Sequence, residues 1–297
     1  MRSPSISQPP TASGDSAAGF GFALGAYGLW GFLPLYVKLA DHIPAAEVVA
    51  HRVLWSVPIA GAVLVALGRT TDLRAALTSP RTLAMGAVTA ALISFNWMIY
   101  IWAVATDRAL DAALGYYINP IFSVFLGAVL LGERLSRLQW AAVALAALAV
   151  GVLTWEAGQV PLVSLGLTVS WGFYAYFKKS LPVGPNQGFL LEVLLLTPFA
   201  LAWIAWVEAR GEGHFAADPL LLIGMGVVTA VPLLLYANGA KRLRLATIAM
   251  MQYIAPTMIF LLAVLVFGEE MGRARMIAFP MIWGALVLYS VTLLRRA

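Results

Sequence analysis

The sequence predicts an all-α integral membrane protein of ten transmembrane helices, built as two inverted five-helix repeats. Three observations predict it. Of 297 residues, 61% are hydrophobic and 11% charged, against roughly 25% charged in a soluble domain, so most of the surface must meet lipid. Basic residues alternate between successive connections in the manner of a membrane topology. A set of residues also recurs at a constant spacing of 136 positions.

The elements follow in order. Residues 1–18 are rich in Ser, Pro and Ala and read as a disordered cytoplasmic tail. They lack the basic-then-apolar pattern of a cleaved signal peptide, so the first span is expected to be an uncleaved signal anchor. A spanning helix needs about 20 mainly apolar residues. Such stretches occur at 19–39, 46–67, 82–104, 112–131, 138–154, 161–177, 188–207, 219–239, 247–267 and 276–294. Charged or Pro/Gly-containing breaks separate them, among them Asp41 to Pro44, Arg69 to Arg81, Asp107 to Asp111, Lys178 to Pro185 and Glu208 to Asp218. The faintest break is marked only by Glu156, Gly158 and Pro161.

With the N-terminus placed in the cytoplasm, the inner connections and tails hold 13 Lys and Arg and the outer ones five (Lys38, Arg108, Arg210, Arg273 and Arg275). That is the bias of the positive-inside rule, and it puts both termini in the cytoplasm. Arg52 is the one Lys or Arg assigned neither to a connection nor to a helix end. The formal charge of +5 thus follows topology, and no nucleic-acid partner is expected.

Tyr117-Ile118-Asn119-Pro120 followed by Gly132-Glu133 matches Tyr253-Ile254-Ala255-Pro256 followed by Gly268-Glu269. From Tyr100/Tyr236 to Arg137/Arg273, 10 of 38 positions are identical. A second echo joins Trp30-Gly31-Phe32 to Trp171-Gly172-Phe173 at a spacing of 141. The expected units are residues 19–155 and 156–297. Five spans in each force the second to enter the membrane inverted, an arrangement recurrent in transporters.

These features resemble the EamA branch of the drug/metabolite transporter superfamily, in which each half carries a Pro and then Gly-Glu at the end of its fourth helix. Strings such as His51-Arg52-Val53-Leu54-Trp55-Ser56, Asn96-Trp97, Leu114-Gly115-Tyr116-Tyr117-Ile118-Asn119-Pro120 and Gln252-Tyr253-Ile254-Ala255-Pro256-Thr257 resemble its RarD-type members. The resemblance covers Gly19 to Leu294. It implies a ten-helix carrier of the cell (inner) membrane that works by alternating access, with its pocket between the halves.

The residues offer several candidates for that pocket. His51 and Arg52 lie about 12 Å beyond Pro44 at 1.5 Å per residue, a depth at which an ionisable side chain is functional by default. Arg52 would meet an anionic substrate group or a coupling carboxylate. Alternatively Glu47, four residues before His51, forms a structural pair there. Glu192 is the other carboxylate within an apolar span, a candidate with His51 for coupling to protons or another ion. Asn96, Tyr100, Asn119, Asn238 and Gln252 place polar groups at membrane depth, for substrate or for interhelical hydrogen bonds, and Tyr236 is a further candidate for substrate. Among the aromatic residues, Trp30, Tyr117, Trp171 and Tyr253 stand out because they recur between halves, while the rest read as interfacial belt or packing. Pro120 and Pro256 are expected to break the helical ladder at matched depths. Glu133 and Glu269 read as interfacial anchors.

With no cysteine and three separated histidines, no metal site or cofactor is expected. No hydrolase, nucleotide-binding or metalloprotease motif is present, which disfavours an ATP-driven pump. The leading expectation is a secondary carrier, an exporter, of small organic metabolites or drugs. Its rivals are an intramembrane enzyme using Arg52, His51 and Glu192 together, or a passive channel.

Overall fold

The apolar runs fold as helices, because backbone polar groups in a bilayer must bond within their own segment. The computed structural model describes residues 16–68, 70–132, 134–240, 242–243 and 245–294. Among them lie α1 (Ala17–Lys38), α2 (Ala45–Ala66), α3 (Thr70–Thr78), α4 (Pro80–Ala105), α5 (Ala109–Leu131) and α6 (Arg137–Ala157). They are followed by α7 (Leu162–Ser180), α8 (Pro185–Ala209), α9 (Pro219–Ala240), α10 (Leu245–Met251), α11 (Ile254–Leu265) and α12 (Arg273–Leu294). No strand occurs among the described residues. Eight of the helices, α1, α2, α4, α5, α6, α8, α9 and α12, are long and apolar enough to cross a membrane.

The sixth expected span, α7, falls outside those eight because it carries polar residues and ends in Lys178-Lys179. Its polar residues are spent on neighbours. Ser164 donates to the Asp111 carbonyl at 2.7 Å and Thr168 to the Gly115 carbonyl at 2.9 Å.

The ninth expected span is interrupted. It forms α10 and α11 with Gln252 and Tyr253 between them. Pro256 follows within a turn; it has no N–H for the carbonyl of Gln252 and its ring crowds that carbonyl. Its counterpart does otherwise. α5 runs unbroken through Pro120, so the expected matched break appears at one position only. Residues 70–78, expected as part of a connection, form the short helix α3.

The weakest sequence break is a defined helix end. α6 stops at Gly158, which takes the left-handed conformation at φ 64°, where glycine carries no steric penalty.

Packing brings α2 against α8 and α9, α1 against α9 and α11, α5 against α7 and α11, α4 against α7 and α8, and α6 against α12. Two glycines mark matched close approaches between helices. A Cβ on Gly31 would lie 2.5 Å from the Met258 sulfur on α11, and one on Gly172 would lie 2.5 Å from Phe122 on α5. Met258 and Phe122 are themselves 136 residues apart. The recurring Trp-Gly-Phe strings therefore mark equivalent helix contacts.

A side chain at either glycine must push two helices apart. Gly31→Val and Gly172→Val should each destabilise the protein by about 1–3 kcal/mol, the usual cost of overpacking. Thermal unfolding of the purified variants in detergent checks this, and Gly21→Ala, where a Cβ meets nothing within 4 Å, is the control.

Candidate functional site

Arg52 is 4% exposed and sits on α2 with its guanidinium carbon 4.5 Å from the centroid of Trp97 on α4. The hydroxyls of Tyr100 and Tyr116 lie within electrostatic range. Nε and Nη1 have no hydrogen-bond partner, and no carboxylate among the described residues pairs with the side chain. An arginine at the centre of a span costs about 2.5–3.5 kcal/mol on insertion scales. A desolvated cation–π contact returns about 2 kcal/mol. Trp97 therefore offsets part of the cost and leaves the charge unneutralised.

Around this cation runs a continuous aromatic and polar cluster. The Tyr100 and Tyr116 rings are 5.8 Å apart, Tyr116 and Trp171 6.3 Å, and Trp171 and Tyr174 5.6 Å. Asn96 fixes Tyr116 by accepting its hydroxyl hydrogen at 3.2 Å, while the Asn96 amide donates to Ser170 Oγ at 2.9 Å and the Leu167 carbonyl at 3.1 Å. At the far end Tyr174 donates to Glu192 at 3.2 Å, and Lys178 Nζ meets the same carboxylate at 2.6 Å. Tyr27, Trp30 and Tyr236 form a second aromatic group, a triad with ring separations of 5.6 to 5.9 Å. Tyr236 is within electrostatic range of Tyr174 in the first.

One end of the bundle is tied by polar links of a different kind. Glu47 accepts from the His214 backbone N–H at 2.7 Å and holds His214 Nδ1 at 2.8 Å. His42 Nε2 lies 3.0 Å from Asp218, and Arg275 donates to Asp111 at 2.9 Å. Glu269 accepts from the first two N–H groups of α5, Ala109 at 2.6 Å and Leu110 at 3.0 Å. Each of these four links joins the N-terminal part of the chain to the C-terminal part. Burial holds the Glu269 carboxyl above its ordinary range, opposed by those two backbone hydrogen bonds and by Arg275.

A model of the EamA-like transporter family matches residues 17–155 and again 160–291. The chain belongs to the EamA-like transporter family. It is a multi-pass membrane transporter. The EamA-like chain is 42% identical over 282 residues to a protein of Vibrio cholerae named Uncharacterized transporter, covering 93% of each. It is 41% identical over 271 residues to Protein RarD of Escherichia coli, covering 90% of this chain and 92% of that one. A solved crystal structure of a protein 20% identical covers 95% of this chain and 100% of its own, with a TM-score of 0.60. At that identity the likeness shows the fold alone.

The EamA-like fold sorts the sequence candidates. Arg52, Asn96, Tyr100 and Trp171 come together in the central cluster, and Trp30 with Tyr236 in the adjoining triad. Asn119 is buried one turn from Tyr116 with its Oδ1 unpartnered. Tyr117 is elsewhere: its hydroxyl bonds Thr257 at 2.7 Å and its ring packs on Phe279 and Trp283. It links α5 to α11 and α12. Gln252 and Tyr253 occupy the interruption before Pro256.

Both carboxylates considered for Arg52 are engaged away from it. Glu192 pairs with Lys178. Glu47, set against His51 by helical spacing, reaches His214 instead. His51 takes a hydrogen bond from Trp55 at 3.3 Å and stacks on Phe215 at 5.2 Å. The side chains of Arg52, His51 and Glu192 make no direct contact with one another among the described residues: Glu192 lies at the far end of the cluster that begins at Arg52, and His51 faces Trp55 and Phe215. Glu269, read as an anchor, caps α5 across the chain. Its counterpart Glu133 lies outside the described residues.

Sequence reasoning passed over Lys178, because a Lys-Lys pair resembles the end of a span. The signal was its place four residues after Tyr174, on the same face. Trp97, Tyr116, Tyr174 and Tyr27 were assigned to belt or packing, and they line the cluster.

Glu269→Ala removes a helix cap, which costs about 0.5–2 kcal/mol. Because the folded carboxyl binds its proton more tightly than an exposed one, the group's contribution is fully present below the ordinary carboxylate pKa. It declines as pH rises through the raised value. The stability deficit of the variant should therefore be larger at pH 5 than at pH 8, as measured by thermal unfolding at both.

Proposed function

We propose that this protein is a secondary transporter that exports small organic metabolites or drugs from the cytoplasm by alternating access of a site centred on Arg52. One observation carries the reading. The contacts of the N-terminal part recur in the C-terminal part: α1 packs on α9 and α11 as α7 packs on α4 and α5. The pairs α2 with α8, α5 with α11 and α6 with α12 join helices equivalent under the sequence repeat. The Gly31–Met258 and Gly172–Phe122 approaches obey the same exchange. The two separate matches to the family model support treating residues 19–155 and 156–297 as the two repeats. With α7 and the α10–α11 pair counted as crossings, the repeats have ten spans, and the basic-residue bias sets both termini on the cytoplasmic side of an inner membrane.

Such a repeat provides two similar half-structures whose exchange of conformation exposes a shared site to either side in turn. The four polar links are then the closed gate, on the extracytoplasmic end in this topology. Arg52, Asn96, Tyr100 and Trp171, with Trp30 and Tyr236 beside them, supply the substrate site. Any coupling proton falls to Glu192 or His51, and Glu192 must first be released by Lys178.

The gate is testable because the chain has no native cysteine. In the double variant Glu47→Cys/His214→Cys, a short reversible cross-link should abolish exchange of a metabolite panel in proteoliposomes. Reduction should restore it. Full exchange by the cross-linked protein would contradict movement at this gate.

A further inference from the structure

We propose that the site around Arg52 binds the carboxylate of a small organic anion with a flat apolar body, an inference that rests on the transport reading above. The guanidinium is buried with two nitrogens lacking any hydrogen-bond partner. The carboxylates that might have been its fixed counter-ions are held by His214 and by Lys178. The guanidinium carbon lies over the Trp97 ring, and the unpartnered Nε and Nη1 are N–H groups left for a ligand to meet. A carboxylate fits a guanidinium with paired hydrogen bonds.

The Tyr100 hydroxyl, buried and likewise without a hydrogen-bond partner, stands within electrostatic range of the same cation and supplies a further donor. Beyond it, the rings of Tyr116 and Trp171 offer an apolar wall for a planar body. If the cation served only to pack on Trp97, its unpartnered nitrogens would be a cost without a return. An apolar side chain would pack there with no such cost. A mobile anion neutralises the charge when bound and leaves with it, which a fixed carboxylate cannot do.

The test uses the full-length protein purified in detergent and matched neutral and anionic probes: benzoate with benzamide, phenylacetate with phenylacetamide, and indole-3-acetate with its amide. The acids should raise the unfolding temperature saturably and the amides should not. Arg52→Gln should weaken acid binding at least tenfold, the order expected for a lost charged hydrogen bond. Arg52→Lys, which keeps the charge, should fall between, and Tyr100→Phe should weaken binding several-fold. These two carry the test if Arg52→Gln does not fold. Equal binding of acids and amides, no binding of any acid, or undiminished acid binding by Arg52→Gln each overturns the proposal. Counterflow in proteoliposomes separates the two readings. Acid-selective binding without counterflow upholds the site and removes transport. Counterflow of neutral solutes without acid-selective binding upholds transport and removes the anion site.

Discussion

A guanidinium held inside a helical bundle with no carboxylate paired to it among the described residues is the constraint on which the rest of the structure depends. Arg52 stands with its guanidinium carbon over the Trp97 ring and within electrostatic range of Tyr100 and Tyr116. Tyr116 is in turn fixed by Asn96, which ties α4 to α5 and α7 in one set of hydrogen bonds. The Lys178–Glu192 pair, a half-buried ammonium on a buried carboxylate, behaves differently. Its charges cancel, and removing Lys178 would strand the buried carboxylate at a cost of about 3–5 kcal/mol. Among the described residues the centre therefore contains one neutralised pair and one cation with no carboxylate partner, and the second is the one available to a passing ligand.

The architecture was largely legible in the sequence because lipid imposes it. Apolar length, the charged breaks and the alternation of basic residues are direct consequences of crossing a bilayer, so the helices fall close to their expected limits. The departures are local. The span that holds Pro256 is interrupted at Gln252–Tyr253, whereas α5 absorbs Pro120 without a break, and one proline in an apolar run looks like another until the packing is known. α3 escaped because nine residues are too few to show a span and its neighbours are charged.

The site was legible in part, and the division has a physical reason. Arg52 stood out because an ionisable residue at that depth is costly whatever its partners. The partners themselves depend on tertiary contact. Glu47 finds His214 at 167 positions' separation, which helical spacing cannot reveal. Recurrence between the halves was a mixed guide. It picked out Trp30 and Trp171, which join the aromatic clusters, and also Tyr117, which serves packing. A residue repeated in both halves is repeated first of all because both halves must fold. His214, distant in the sequence from His42 and His51, comes near both: His42 and His214 lie 6.2 Å apart, and His51 stacks on Phe215. Among the described residues this gathering forms no metal-holding group.

If Arg52 sits in a chamber shared by two exchanging halves, that chamber must be reachable from each side of the membrane and never from both together. Trp171→Cys, placed in the central cluster of an otherwise cysteine-free chain, reads this directly through its reaction with a membrane-impermeant maleimide in vesicles of known orientation. The account predicts labelling from the cytoplasmic side while the Glu47–His214 gate is held shut by a cross-link and labelling from the opposite side once the gate is weakened by His214→Ala, with each gain matched by a loss on the other side. Labelling from both sides at once in a single state would mean a channel and would contradict alternating access.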